Sequence, residues 1–266
     1  MGKIIRNGVE YPSGGGRGGG GSWITDIPEM HRNIFRGKNL GTAVTAAQLA
    51  AIADGSFDDL YIGDYWTIPV TINNVSTNVI WRIADFDYWL NVGWENAGQG
   101  LYPLEEHHAV IVPDTILYSH QYHSSVSIAQ YVNSTMHTAG MMDALAMANE
   151  AFPDMVLSYF RFSVNSGGNN KTAYQSTVDL MSEIMITGEG IHEPVYSRWT
   201  GTSERYQLAL FRLAPSYINT PNQDMYWLST ISSSSYPVAI VYGVPYSENA
   251  TEVLGVRPCF VIGTET

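Results

Sequence analysis

A chain of 266 residues can form one large domain or two small ones and bury a real core. Hydrophobic residues make up 45%, which argues against wholesale disorder, while only 14% are charged, a surface composition suited to packing against other chains. With 13 basic against 25 acidic residues the formal net charge is −12, so a nucleic-acid footprint is missing and polyanionic surfaces are repelled overall.

The chain opens on a strand-capable peg, residues 2–11, followed by SGGGRGGGGS at 13–22. Glycine at this density loses too much backbone entropy on ordering to serve as a core element. Residues 1–22 therefore read as an N-terminal anchor and tether, and 23–266 as a single globular domain. The opening MGKIIRNGVEYPSGGG has no apolar signal-peptide core, and no run reaches the ~18 apolar residues of a membrane span. A protein made in the cytoplasm, without membrane insertion, is expected. Cys259 is the single cysteine, so an intrachain disulfide and a Cys-based zinc site are excluded.

TAAQLAAIAD at 45–54 predicts a helix capped by Thr45 and stopped by Gly55. The aromatic and β-branched stretches 60–72 and 78–90 predict an antiparallel hairpin that turns at Asn73-Asn74. HHAVIVPD at 107–114 reads as a buried third strand. Residues 134–152 predict a helix ended by Pro153, with Met142, Leu145, Met147, Ala148 and Phe152 on one apolar face. A strand at 156–164 and the loop NSGGNNK follow. Residues 176–187 read as a second amphipathic helix, with Ser176 as cap and Gly188 as stop. Short strands separated by Ser- and Pro-rich loops complete the chain. The expected fold class is α+β, a mainly antiparallel β-sheet core with two or three helices.

Two groups of motifs carry a resemblance. EMHRNIFRGKNLG (29–41) leads to LYIGDYWTI, WRIADFDYWL and HHAVIVPD; later YWLST (226–230) precedes LGVRPCFVIG (254–263). This ordered series resembles an uncharacterised virion-protein family of phages and prophages of gut Firmicutes, from about Glu29 to the C-terminus. The C-terminal segment, 220–266, also resembles display domains of C-type-lectin-like fold. Ser229 stands where the virion family more often has arginine. The lectin calcium signatures Glu-Pro-Asn and Trp-Asn-Asp are missing, since Val195 follows Glu193-Pro194. The resemblance implies a virion appendage for attachment or decoration.

Catalytic and metal motifs are sparse. His107-His108 would point to opposite faces of a strand and cannot easily chelate one ion. His120, His123 and Asp114 form a conceivable ligand set, in a stretch lacking helical character. Asp85 and Asp87 share a strand face but read as solvated turn and edge carboxylates. Cys259 reads as an inert buried thiol. Arg257, in an apolar terminal strand, needs a partner because an unpaired buried charge is costly; Asp64 or Asp85 would pin the last strand to the central sheet. The aromatics of polar segments, Tyr118, Tyr122, Tyr196, Trp199, Tyr236 and Tyr246, are the candidate ligand surface. Of these, Tyr196, Trp199, Tyr236 and Tyr246 are the candidate ligand-binding residues, the first three on loops 196–205 and 229–236.

The function expected is a non-enzymatic virion structural and binding protein without cofactor or metal, acting in a tail or baseplate appendage in host attachment. The expected partners are other virion proteins, through residues 1–22, and a host cell-surface glycan or protein. A homotrimer is expected by analogy with phage appendages. A capsid decoration or head-fibre protein is the nearest alternative. A cell-wall or polysaccharide hydrolase, which would need a convergent carboxylate pair in a cleft, and a cellular lectin-like surface protein are further ones.

Overall fold

Local signals start most elements of this chain, and long-range strand pairing decides how far each extends. The computed structural model describes residues 4–6, 9–11, 27–92, 102–164, 171–192, 206–233 and 236–265. Within them the fold is α+β, built on two open and mainly antiparallel sheets. At the N-terminus, β1 (Ile4–Arg6) and β2 (Val9–Tyr11) pair as a separate two-stranded sheet with Arg6 opposite Val9. The glycine-rich run 13–22 lies outside the described residues.

The larger sheet has seven strands. Its order is β11 (Val178–Leu180), β16 (Pro258–Ile262), β6 (Ala109–Pro113), β5 (Val75–Phe86), β4 (Tyr65–Ile72) and β3 (Asn39–Gly41), with β8 (Val156–Leu157) also on β16. Only β3 and β4 run parallel. The predicted hairpin is β4–β5. It turns at Asn73 (φ 50) and Asn74 (φ 64), two left-handed residues whose twist matches the flanking strands. Every residue of β6 and β16 is buried, as central strands covered on both faces require.

The second sheet has five strands, in the order β14 (Val244–Ser247), β13 (Tyr236–Val241), β12 (Tyr226–Ser233), β15 (Val253–Val256) and β7 (Tyr118–Gln121). Here β12 and β15 are the parallel pair. The last motif, LGVRP, therefore crosses between sheets: β15 belongs to one, β16 to the other, and Arg257 is the single residue between them. A separate hairpin joins β9 (Tyr159–Val164) to β10 (Lys171–Ser176).

Five α-helices occur among the described residues: α1 (Ile27–Arg32), α2 (Ala46–Ala53), α3 (Met141–Ala151), α4 (Glu183–Thr187) and α5 (Ala209–Leu213). The predicted start of α2 is present as a capping box. Thr45 Oγ1 accepts the Gln48 amide at 3.2 Å, and Gln48 Oε1 accepts the Thr45 amide at 2.9 Å. A π-helical turn, Met136–Gly140, leads into α3. Helix α3 buries Met141, Ala144, Met147, Ala148 and Ala151, whereas Met142, expected on that face, is 67% exposed. The π turn rotates the helix face relative to a continuous α-helix begun at residue 134. Phe152, just past the helix, fills the space between Trp66, Trp81 and Phe260, with ring centroids 5.6–6.0 Å away.

The expected helix 176–187 is not continuous. Ser176 ends β10, and Val178–Leu180 pairs with Pro258–Phe260 of β16. Only Glu183–Thr187 is helical, with Ser182 as the cap; Gly188, as expected, closes it at φ 79. Pairing with β16, together with burial of Asp179 in a polar network, overrides the helical periodicity of this stretch. The stretch 60–72 becomes strand only at Tyr65, because the chain first turns through Gly63. At Gly63, φ is +83 and a Cβ would lie 2.2 Å from Phe35 Cε2, so glycine alone fits there.

Candidate functional site

The charged residues of the sequence motifs are tied to one another. Asp85 is fully buried, and its Oδ1 receives Arg32 Nε at 2.7 Å. The Phe86 and Ala209 amides also donate to it, at 2.9 and 3.1 Å. Burial pushes the Asp85 carboxyl up, against the opposing pull of Arg32 and these amides. Asp64, also fully buried, receives Arg36 Nη2 at 2.6 Å and the Lys38 and Tyr61 amides at 2.8 and 2.9 Å. Arg82 grips Asp114 with Nε at 2.7 Å and Nη2 at 2.5 Å, its guanidinium held between the Tyr65 and Tyr217 rings. The basic motif at 29–41, IGDY, WRIAD and IVPD thus supply paired charges: Arg32 ties α1 to β5, Arg36 ties the segment before β3 to that before β4, and Arg82 ties β5 to the end of β6.

Arg257 belongs to a different arrangement from the one expected. Neither Asp64 nor Asp85 is its partner; both are taken by Arg36 and Arg32. Its Nε donates to Pro113 O at 2.9 Å, and Nη1 to Tyr217 O at 2.8 Å, Ile218 O at 3.2 Å and Tyr226 Oη at 3.3 Å. The guanidinium also lies over the Tyr226 and Phe211 rings. The backbone acceptors are the carbonyl that ends β6 and two at the end of the 3-10 turn Pro215–Ile218, where Ile218 O also accepts the Tyr226 hydroxyl at 2.7 Å, and a guanidinium can serve several at once. Arg257 fixes the crossing of the chain, not the attachment of a strand edge to a carboxylate.

The candidate ligand residues separate. Tyr196 and Trp199, with the loop 196–205, lie outside the described residues. Tyr122 is fully buried against Trp227 and serves the interior, while Tyr118 is half-buried and its hydroxyl donates to Gly140 O. Burial pushes both phenols up in pKa. Residues 229–233 are strand β12 and not a loop, because Thr230 and Ile231 are buried and Ser229 Oγ accepts Arg161 Nη2 at 3.2 Å.

Tyr236 and Tyr246 remain exposed, at 48% and 59%. They stand on the β13–β14 hairpin, whose outer strand is an edge of the five-stranded sheet. Tyr242 (φ 48) and Gly243 (φ 84) make its turn; Tyr242 is 73% exposed, and Val244 is also exposed. Tyr246 lies opposite Ala239 and Val244 opposite Val241, so these four share one sheet face. Tyr236 has the other parity along β13 and projects from the opposite face. The hairpin therefore carries a Tyr246–Val244 surface with Tyr242 at its tip, and Tyr236 is not part of it. Tyr242 and Val244 had no motif to mark them; only their place on an edge strand does.

The histidines form ordinary pairs. His107 Nδ1 lies 2.8 Å from Asp87 Oδ2, and Asp87 sits in a turn at φ 51, so Asp85 and Asp87 do not form a joint site. His108 is buried between Glu106 O, bonded to Nδ1 at 2.9 Å, and the Trp89 amide, donating to Nε2 at 3.1 Å. Burial pushes its pKa down. His123 Nδ1 accepts the Thr135 amide, His120 Nδ1 contacts Gln121 O, and Asp114 is committed to Arg82. Among the described residues no cluster of His, Cys, Asp and Glu could hold a metal, and no helix is long and apolar enough to cross a membrane. Cys259 is buried in β16.

A buried dyad escaped the sequence reading. Glu183, at the start of α4, is fully buried; its carboxylate receives the His192 amide and faces His192 Nδ1, each at 2.9 Å. No family model, no curated protein and no solved structure matches the chain. The likeness to virion proteins and to lectin-like display domains thus rests on the sequence motifs alone.

Proposed function

We propose that the chain is a non-enzymatic bacteriophage virion protein, a tail or baseplate appendage that contributes to host attachment. It is held to other virion proteins through residues 1–22 and assembles as a homo-oligomer, a trimer by analogy. The motif series supports the reading, and the pairing of charges between those motifs supports treating them as one structural unit. The observation that carries the binding role is the exposed Tyr242–Val244–Tyr246 surface on an edge strand. Rigid aromatic area at low entropic cost is the usual material of a recognition surface.

The test is adsorption of the purified full-length protein to host cells beside its melting curve. A Tyr242→Ser, Tyr246→Ser double variant should bind roughly ten-fold more weakly, the scale of a ~1.4 kcal/mol contact. Its melting temperature should hold. Unchanged adsorption would remove this surface from attachment and leave capsid decoration as the better reading.

A further inference from the structure

A cavity of about 350 Å³ lies between the tip of the β4–β5 hairpin and helix α3. Its lining comprises Thr71, Asn73 and Asn74 from the hairpin, Tyr118 from β7, and Asp143, Ala146, Met147 and Glu150 from α3. The volume falls in the range of small-molecule sites. The two walls are locked together before any ligand arrives. Glu150 Oε2 accepts the Thr71 amide at 2.9 Å, and Oε1 accepts the Thr71 hydroxyl at 3.0 Å. Met147 is buried and Tyr118 half-buried, and with Ala146 they bring apolar groups to a lining that is otherwise polar.

We propose that this cavity is a saccharide site for a neutral or amino-bearing sugar. The Asp143 carboxylate and the Asn73 and Asn74 carboxamides make no side-chain hydrogen bond among the described residues. Both asparagines are in the left-handed conformation of the turn. A carboxamide offers donors and an acceptor together, and a carboxylate offers acceptors only, which matches hydroxyl groups that donate and accept in turn. The Tyr118 ring and the Met147 side chain suit the C–H face of a pyranose. Among the described residues two carboxylates and no basic group line the space, which disfavours phosphates and uronic acids. Asp143 and Glu150 are two helical turns apart, about 10 Å along the axis, too far to chelate one ion but a fair span for one or two sugar rings. The site is separate from the hairpin surface proposed for attachment and does not rest on the virion reading.

Titration of the intact protein, followed by calorimetry and amide NMR, tests this with galactose, N-acetylglucosamine and glucosamine. Glucuronate and calcium chloride serve as controls. At least one of the three sugars should bind saturably, and Asp143→Ala and Asn74→Gly should each weaken it roughly ten-fold. Glycine at position 74 keeps the left-handed turn, and both positions are exposed, so the variants fold. Glucuronate should not bind. Saturation by none of the three sugars, binding unchanged in both variants, or a response to calcium alone would each overturn the proposal. Because free sugars are used without cells or particles, such a failure is distinguishable from failure of the attachment role.

Discussion

Replacing Arg257 by methionine keeps an unbranched apolar stem and removes the guanidinium. In the folded protein that group donates to three backbone carbonyls and one phenol at 2.8–3.3 Å, in a residue with no solvent exposure. Methionine leaves the carbonyls of Pro113 and Tyr217 without this donor, while Ile218 O keeps the Tyr226 hydroxyl at 2.7 Å. At about 1 kcal/mol or somewhat more for each of these two carbonyls, plus about 1 kcal/mol for the lost contact with two rings, the loss is about 3–4 kcal/mol. For a chain of this size that corresponds to a fall of about 10 °C in Tm. No carboxylate is stranded, so Arg257→Met combined with Asp85→Asn should be additive within about 0.5 kcal/mol. Arg32→Met combined with the same Asp85→Asn should instead couple by about 1–3 kcal/mol, since those two side chains meet at 2.7 Å. Urea unfolding of the single and double variants measures both cycles. A loss below about 1 kcal/mol for Arg257→Met, or coupling between positions 257 and 85, would refute the assignment of Arg257 to the crossover carbonyls.

Burial depresses the folded-state pKa of His108 below the ordinary imidazole value of about 6.5, so its contribution to stability is present above that pH and is lost as pH falls through the folded value. Urea midpoints should decline on acidification below about pH 6.5, and His108→Gln should flatten that part of the slope. Asp59, exposed but hydrogen-bonded by Lys38 and Arg36, is held down to about 2. Its share of stability is present above the ordinary carboxylate range and disappears only as pH falls from about 4 towards 2; Asp59→Asn should remove that acid dependence. Asn74→Val should destabilise by about 1–2 kcal/mol, because a β-branched residue resists the left-handed turn, whereas Asn74→Gly should be neutral or better in a thermal melt. Met147→Lys should cost about 3 kcal/mol or more and Met142→Lys under about 0.5 kcal/mol; equal losses would contradict the register of α3.

Much of the local structure was legible in the residues. The Thr45 cap with Gln48, the Asn73-Asn74 turn and the unbroken apolar run of 109–113 depend on neighbours in sequence, and each appears where its chemistry dictates. The stretch 176–187 shows where that legibility stops. Its periodicity fits a helix, but Asp179 finds Arg161 at 3.0 Å and Tyr174 Oη at 2.7 Å only after the sheet has formed, and a buried charge with those partners outweighs weak local preference. Exposure was equally hidden: Tyr122 and Tyr246 sit in similarly polar sequence, yet one is buried under Trp227 and the other stands on an edge strand. The proposed saccharide cavity shared this fate, because Asn73 and Asn74 lie about 70 residues before Asp143 and approach it only when the hairpin tip packs over α3. The sequence by itself determined that the chain is an α+β protein, acidic and rich in aromatics, with buried charges that had to be paired. Which aspartate took which arginine, and that Arg257 took carbonyls, was decided by tertiary structure alone, because a buried charge selects its partner by distance in space and sequence carries no such distance.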